Sequence, residues 1–297
     1  MKLGFIGLGR MGLGMVTRLL KNHQVVAYDL SKPRIDEAVQ KGAEASTSPG
    51  DLVARLKAPR VIWLMVPAGK PVEELVRTLG PLLSEGDVLI DGGNSFYKDS
   101  VRRAKKLAKR RVDYVDVGTS GGLEGIDTGL CLMVGGNANA FRIVEPVLRD
   151  LAAPEGYSHV GPSGAGHFVK MVHNGVEYAI LQALGEGFEV LSRGPYEVNL
   201  SRVSRLWTQG SVIRSWLLSL AAELFETQPE LEDVAAQVGG GETGRWMVED
   251  AMAREVSTPV ISTALQMRFA SRSRDSLSVR FVAAMRGEFG GHEVPRK

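Results

Sequence analysis

Four polar side chains recur at helical spacing in the second half of the chain. They are Lys170, His173, Asn174 and Glu177, at positions i, i+3, i+4 and i+7. At about 100° per residue these side chains share one helix face over two turns, opposite an apolar face. A lysine, an imidazole, an amide and a carboxylate in one row could exchange protons with a bound substrate. They could equally be the solvated face of an ordinary amphipathic helix, and the helix alone leaves both interpretations open.

Composition narrows the class of protein. A chain of 297 residues can bury a large core and favours two domains. Hydrophobic residues at 44%, charged residues at 24% and 35 glycines are typical of a globular protein with many tight turns. The net charge of +2 gives no overall attraction to nucleic acid or to a membrane, and no uncharged apolar run reaches about 20 residues. We therefore expect neither as a partner.

The basic run 101–111 and the single cysteine do not indicate a site. The basic run lacks interleaved aromatic residues and is expected to form the solvated outer face of a helix. Cys131 excludes an intramolecular disulfide and suits a reducing compartment, so we expect a cytoplasmic protein. Because Cys131 lies in the apolar run Leu130–Val134, it is predicted to be a buried strand residue rather than a nucleophile.

A glycine-rich loop near the start of the chain predicts a dinucleotide site. Its Gly-x-Gly-x-x-Gly pattern follows the apolar strand Leu3–Ile6, opens a helical segment and precedes a second strand, Gln24–Tyr28. In this context the glycines permit a tight turn and a close approach of the cofactor pyrophosphate to the helix N-terminus. The predicted cofactor-binding residues are Gly7, Leu8, Gly9, Arg10, Met11, Gly12, Asp29, Val66 and Asn94.

Asp29 closes the second strand and bears on the choice of cofactor. A carboxylate there accepts hydrogen bonds from the adenosine ribose and repels a 2′-phosphate, which favours NAD over NADP. Lys32 and Arg34 follow and could soften that repulsion, so NADP remains possible. They could also be residues of a solvated loop.

Further apolar runs predict a parallel sheet with polar residues at its carboxyl edge. The runs are Val61–Val66, Val88–Ile90, Val112–Val117, Leu130–Val134 and Tyr157–Val160. Asn94 and Ser95 follow the second of these runs, and the loop 118–122 follows the third. Ligands bind beyond the carboxyl ends of such strands, so these residues are either site residues or simple turn residues.

The second half contains helical segments and no convincing strand. We predict helices at 164–193, 200–209, 211–226, 231–238, 243–254, 259–271 and 277–285, followed by a glycine-rich tail. The fold class is an α/β N-terminal domain with a Rossmann-type doubly wound sheet, followed by an all-α C-terminal domain. The expected domains are a dinucleotide-binding domain at 1–163 and a helical substrate and oligomerisation domain at 164–297.

At this point the motifs resemble a known family. The run Gly164–Tyr178 resembles the catalytic helix of decarboxylating 6-phosphogluconate dehydrogenases. Four further motifs resemble the same family and span the chain: Gly7–Gly12, Asp91–Ser95, Ser120–Gly122 and Val212–Ser215. The chain is much shorter than the long form of the family and resembles its short form.

The resemblance implies an activity and a set of roles. The reaction would be oxidative decarboxylation of 6-phospho-D-gluconate to D-ribulose 5-phosphate and CO2 with reduction of NAD, in the pentose phosphate pathway. Lys170 would be the base at the C3 hydroxyl, and Glu177 the acid that protonates C1 of the enediol. No metal is implied. The substrate would be bound by Asn94, Ser120, Gly121, Gly122, His173 and Asn174, with Tyr178 and Arg268 at its phosphate.

The C-terminal tail and one difference from the long form of the family both bear on the substrate site. Arg286 and His292 match a tail that reaches into the site of a neighbouring subunit, which implies a homo-oligomer, a dimer or a tetramer, with shared sites. The long form carries a phosphate-binding lysine ahead of Thr-Gly-Lys-Trp, whereas this chain has Gly241–Glu242–Thr243–Gly244–Arg245–Trp246. Either Arg245 compensates or one phosphate contact is absent.

Two other functions remain as alternatives. An NAD-dependent β-hydroxyacid dehydrogenase of the hydroxyisobutyrate type would share the glycine loop and the lysine. It would not need His173 with Glu177, nor arginines at 268 and 286. A non-catalytic NAD-binding regulatory protein would not need Lys170 and Glu177.

Overall fold

An eight-stranded sheet forms the centre of the first part of the chain. The computed structural model describes residues 1–273 and 276–290. The strand order is β3-β2-β1-β4-β5-β6-β7-β8. The strands are β1 (Lys2–Ile6), β2 (Gln24–Tyr28), β3 (Glu44–Ala45), β4 (Val61–Leu64), β5 (Val88–Asp91), β6 (Asp113–Ser120), β7 (Leu130–Gly135) and β8 (Ala152–Gly161). Neighbouring strands are parallel except for the antiparallel pair β6 and β7.

Helices connect the strands and cover both faces of the sheet. They are α1 (Arg10–Leu19), α2 (Lys32–Gln40), α3 (Pro49–Ala54), α4 (Lys70–Leu79), α5 (Tyr97–Ala108), α6 (Glu124–Thr128) and α7 (Ala138–Leu151). β4 and β5 are buried along their whole length, as their continuous apolar sequences predict. Separate apolar clusters lie on the two faces. The predicted doubly wound sheet is confirmed.

The strand order reverses between β1 and β4, which places the glycine loop at the crevice of the sheet. β1 pairs with β2 on one side and with β4 on the other. The crossovers therefore run in opposite directions from this point, and the loops after β1 and β4 separate there. Open parallel sheets bind ligands in this position.

The lone cysteine departs from its predicted environment. Cys131 lies in β7, but its side chain is exposed, so its predicted burial is wrong. The register of β7 against β8 shifts between Leu130 and Leu132, which interrupts regular pairing at this residue.

The second part of the chain contains only helices among the residues that the structure describes. The helices are α8 (Ala165–Ser192), α9 (Leu200–Trp207), α10 (Trp216–Thr227), α11 (Glu242–Ala253), α12 (Pro259–Ala270) and α13 (Leu277–Gly290). The helix predicted at 231–238 is wrong, because the segment forms turns and Leu231 has a φ of 52°. The predicted all-α character is otherwise confirmed.

The chain divides into two compact units, Met1–Asn174 and Gly175–Lys297. This division falls inside α8, eleven residues beyond the 163/164 boundary expected from the sequence. The first turns of α8, with Lys170, His173 and Asn174, therefore belong to the first unit. No helix among the described residues is long and apolar enough to cross a membrane.

Candidate functional site

The glycine loop after β1 has the conformation that a pyrophosphate site requires. Gly7 has a φ of 102°, and a Cβ there would overlap the carbonyl of Met65. A Cβ at Gly12 would overlap the carbonyl of Gly7, so α1 packs directly on the loop. A Cβ at Gly9 would meet no atom within 4 Å, and Gly9 is the N-cap of α1. An open backbone at a helix N-terminus suits an anionic ligand, so these residues fit a dinucleotide.

Asp29 connects this loop to the segment after β2 through its two carboxylate oxygens. Oδ2 accepts from the backbone N–H of Leu8 at 2.7 Å, and Oδ1 accepts from that of Ser31 at 2.8 Å. Arg34 lies 3.9 Å from Oδ1, whereas Lys32 pairs with Asp36 on the exposed face of α2. Of the two cations after β2, Arg34 is thus the one beside the carboxylate that bears on cofactor choice.

Asp91 shapes the loop that carries Asn94. The carboxylate is fully buried and accepts from the hydroxyls of Ser95 at 2.8 Å and Tyr114 at 2.7 Å, and from the N–H of Gly93. Burial and the adjacent Asp91 raise the pKa of Tyr114 well above its usual value, so Tyr114 stays a hydroxyl donor. Ser95 is therefore a buried structural residue, while Asn94 is exposed at the edge of the sheet.

Val66 lies beside the same loop. A Cβ added at Gly93 would lie 2.8 Å from the carbonyl oxygen of Val66, so the segments after β4 and β5 pass close together. The structure therefore places Val66 and the Asn94 loop side by side at the carboxyl edge, where both were predicted to contact the cofactor.

Lys170 is held against the end of β6. A Cβ at Gly118 would overlap the Cβ of Lys170, and a Cβ at Gly166 would overlap the carbonyls of Asp116 and Met133. Glycine at 118 and 166 thus lets the first turns of α8 lie directly on the strands. The lysine is only 9% exposed. Close packing of α8 against the strands therefore fixes the backbone position of this lysine.

His173 connects Lys170 to the loop after β6. Its Nδ1 lies 3.4 Å from Lys170 Nζ and 3.1 Å from Asn174 Oδ1, and its Nε2 lies 3.1 Å from Ser120 Oγ. With the proton on Nε2, the imidazole accepts from Lys170 and donates to Ser120. With the proton on Nδ1, it donates to Asn174 and accepts from Ser120. Lys170, His173 and Asn174 therefore form an organised cluster in the first unit and not a solvated face.

Gly121 and Gly122 follow Ser120 in left-handed backbone conformations. Their φ values are 120° and 59°. Gly121 also accepts from the N–H of Gly125, which starts the short helix α6. The structure places Ser120 and these two glycines in one loop beside His173.

The second unit gathers the residues predicted to hold the phosphate. The guanidinium carbon of Arg268 lies 3.8 Å from the ring centroid of Tyr178, and the Tyr178 hydroxyl lies 3.2 Å from Thr243 Oγ1. Glu177 precedes Tyr178 in α8 and is half-buried. Arg286 lies in α13, and His292 lies outside the described residues.

Two family models together cover nearly the whole chain. The model described as the NAD binding domain of 6-phosphogluconate dehydrogenase matches residues 2–164, and the model of the 6-phosphogluconate dehydrogenase C-terminal domain matches residues 166–280. The chain belongs to the 6-phosphogluconate dehydrogenase family. Its first unit is accordingly an NAD-binding domain, and the family assignment made from the sequence motifs is confirmed.

Individual members of the 6-phosphogluconate dehydrogenase family match in sequence and structure. An NAD⁺-dependent, decarboxylating 6-phosphogluconate dehydrogenase of Haloferax volcanii is 49% identical over 300 residues, which cover 100% of this chain and 99% of the relative. The NAD⁺-dependent, decarboxylating enzyme of Bacillus subtilis is 36% identical, with 92% of this chain and 62% of the relative covered. The Plasmodium falciparum 6-phosphogluconate dehydrogenase, solved alone, with NADP⁺ and with 6-phosphogluconate, matches with a TM-score of 0.85 and 26% identity. That match covers all of this chain and 66% of the other, so the chain spans less than two-thirds of these two longer members.

One residue of this family member that the sequence analysis missed is Asp116. Its carboxylate is fully buried in β6 and accepts from the backbone N–H groups of Gly164 at 2.5 Å and His167 at 2.9 Å. It therefore caps the N-terminus of α8 from a neighbouring strand, where a negative charge also complements the helix dipole. The sequence signal that could have indicated this role was a charged residue within the otherwise apolar run 112–117.

Replacing Asp116 with asparagine is expected to loosen the start of α8. The amide can satisfy one of the two N–H groups but presents its NH2 to the other, so we expect a loss of about 1–3 kcal/mol in the free energy of unfolding. Denaturant unfolding measures it. Asp127→Asn, at an exposed position on α6, is the matched control and should be neutral. An unfolding free energy equal to that of the unmodified protein would contradict the capping role.

Proposed function

We propose that this protein catalyses the oxidative decarboxylation of 6-phospho-D-gluconate to D-ribulose 5-phosphate and CO2 with NAD⁺. The observation that carries the proposal is the buried Lys170, packed on Gly118 at the carboxyl edge of an NAD-binding sheet and within 3.4 Å of His173. A family member that is 49% identical over the whole chain and named for this NAD⁺-dependent activity supports it.

The cofactor would be held by the glycine loop, by Asp29 and by the segments that carry Val66 and Asn94. When bound, NAD⁺ accepts the hydride that leaves C3 of the substrate. Lys170 takes the proton of the C3 hydroxyl in the same step, which leaves a 3-keto acid. A lysine that acts as a base near neutral pH must be partly neutral when it takes the proton.

Decarboxylation and reprotonation use Lys170 again and then Glu177. The bond between C1 and C2 breaks, CO2 leaves, and protonated Lys170 returns its proton to the C3 oxygen, so the electron pair forms an enediol. Glu177 then protonates the carbon that carried the carboxylate, which becomes C1 of ribulose 5-phosphate. Lys170 removes the enediol hydroxyl proton at that stage, and exchange with water resets both side chains.

Substrate contacts are proposed for the polar residues around Lys170 and for Tyr178 and Arg268. Asn94, Ser120, His173 and Asn174 supply donors and acceptors to the sugar hydroxyls and the carboxylate, and Gly121 and Gly122 supply loop backbone. Tyr178 and Arg268 bind the phosphate. The planar donor fork of arginine suits a phosphate better than the point charge of lysine.

A homo-oligomer with sites shared through the tail remains part of the proposal. Arg286 and His292 would contribute from a neighbouring subunit, in a dimer or a tetramer. The cytoplasmic location expected from the single cysteine also remains a prediction.

An assay with competing substrates tests the proposed function. The purified protein is supplied with NAD⁺ and either 6-phosphogluconate or 3-hydroxyisobutyrate, and NADH is followed by absorbance. We expect turnover with 6-phosphogluconate only. Turnover with 3-hydroxyisobutyrate alone would establish the hydroxyacid dehydrogenase alternative, and binding of NAD⁺ without turnover of either substrate would favour the regulatory one.

Replacing Asp29 with asparagine is expected to shift cofactor preference toward NADP. The amide keeps an acceptor for the N–H of Leu8 but removes the negative charge that would face a 2′-phosphate, while Arg34 remains beside it. Relief of such a like-charge contact should lower the ratio of kcat/KM for NAD⁺ to that for NADP⁺ by about 10- to 100-fold. Asp36→Asn, on the exposed face of α2, is the matched control. An unchanged ratio would remove Asp29 as the determinant.

A further inference from the structure

Two arginines from the end of α12 converge on the turn that precedes α11. Arg268 Nη1 donates to the carbonyl of Gly239 at 2.9 Å. Arg272 Nε donates to the carbonyl of Val238 at 2.7 Å, and its Nη2 donates to that of Gly240. Since two of its three nitrogens are held by the turn, the Arg272 guanidinium is fixed despite its exposed position.

Gly241 leaves space between these guanidinium groups and the start of α11. It is the N-cap of α11 and has a φ of 114°, a conformation that strains any residue with a Cβ. A Cβ there would lie 3.5 Å from Arg268 Cδ and 3.6 Å from Arg272 Nη2. No side chain at 241 therefore separates the two arginines from the N–H groups of the first turn of α11.

This turn adjoins the residues proposed to bind the phosphate. Arg268 stacks on Tyr178, whose hydroxyl meets Thr243 in the first turn of α11. The only formal negative charge among these residues is Glu242, which is exposed, so the two guanidinium groups leave a net positive charge. Arg272 lies in the same cluster although no motif of the sequence pointed to it.

Arg245 lies elsewhere on α11. Its Nε is 3.6 Å from Glu249 Oε1 in an i,i+4 pair, and both side chains are more than half exposed. The pair runs along the helix away from its N-terminus, because Glu249 is one turn further toward the C-terminus. Of the arginines at 245 and 272, only Arg272 contacts the turn that precedes α11.

We infer that Arg272 is a second phosphate-recognition arginine, which acts with Arg268 to select a phosphorylated sugar acid over an unphosphorylated one. The inference depends on the proposed function, because it names a further determinant of the same substrate site. Two fixed guanidinium groups suit a doubly charged phosphate monoester, since each supplies charge and directed donors.

Steady-state kinetics with 6-phosphogluconate and NAD⁺ test this inference on Arg272→Gln, Arg272→Lys and Arg268→Gln, with Arg245→Gln as the matched control. Loss of one charge-assisted contact should raise the KM for 6-phosphogluconate by about 10- to 100-fold in Arg272→Gln, with kcat changed less than about threefold. The inhibition constant of inorganic phosphate, measured in competition with the substrate, should rise in parallel. Arg272→Lys should recover part of both losses, and Arg245→Gln should match the unmodified protein.

The outcomes separate this inference from the proposed function. If the unmodified protein does not turn over 6-phosphogluconate, the proposed function fails. If it does, and Arg268→Gln raises the KM while Arg272→Gln leaves the KM and the phosphate inhibition constant unchanged, only the role of Arg272 is overturned. Arg272→Gln could instead lower kcat and the melting temperature without raising the KM or the phosphate inhibition constant. Arg272 would then only stabilise the turn, and the inference would also be overturned.

Discussion

Lys170→Ala is expected to lower kcat with 6-phosphogluconate by about 10³- to 10⁴-fold, because Lys170 is the side chain proposed to take the C3 proton. The substitution should leave the affinity for NAD⁺ nearly unchanged, since the glycine loop and Asp29 are the groups proposed to hold the cofactor. Single-turnover absorbance measures NADH formation, and titration followed by protein fluorescence measures NAD⁺ binding.

Lys105→Ala is the matched control for this substitution. Lys105 is an exposed lysine of the same unit, on the outer face of α5, and its loss should leave kcat and NAD⁺ binding unaltered. Near-normal turnover in Lys170→Ala would reject Lys170 as the base. A parallel loss of NAD⁺ binding would instead indicate a damaged fold.

Glu177→Gln is expected to slow the last proton transfer and to remove its stereochemical control. The amide cannot donate a proton to C1 of the enediol, so kcat should fall by about 10²- to 10³-fold. In D2O the unmodified protein should place one deuterium at C1 of ribulose 5-phosphate in a single configuration. The variant should give a mixture of configurations, because water then protonates either face, and NMR of the isolated product distinguishes the two results.

Glu186→Gln serves as the control on the same helix. Glu186 is exposed in α8 and accepts a hydrogen bond from Gln182 Nε2, so its change tests only the removal of a carboxylate from this helix. It should retain full turnover and stereospecific deuteration. A single configuration at C1 in the product of Glu177→Gln would show that another group supplies the proton.

The glycine loop and the buried strands were predictable because each depends on a short stretch of sequence. Gly7 and Gly12 must be glycine because the carbonyls of Met65 and Gly7 occupy the space that their side chains would need. The runs 61–66 and 88–90 are apolar because both faces of those strands are covered. Each of these signals lies within about a dozen residues, so one sequence suffices to recognise it.

Features that depend on distant partners were not predictable. Asp116 caps a helix that begins 49 residues later, and Arg272 binds a turn more than 30 residues earlier. The polar row of α8 could not be separated from a solvated face until the contact of His173 with Ser120 showed what it packs against. The wrong helix at 231–238 has a related cause, since its apolar residues allowed a helix but the left-handed Leu231 interrupts it.

The proposed reaction couples oxidation to decarboxylation, and one measurement tests this coupling directly. The protein is incubated with NAD⁺ and 6-phosphogluconate that carries ¹³C at C1, and NADH and ¹³CO2 are quantified in the same reaction. We expect equal amounts of the two products, with ribulose 5-phosphate as the remaining carbon compound. NADH formed without ¹³CO2, or no NADH at all, would contradict it.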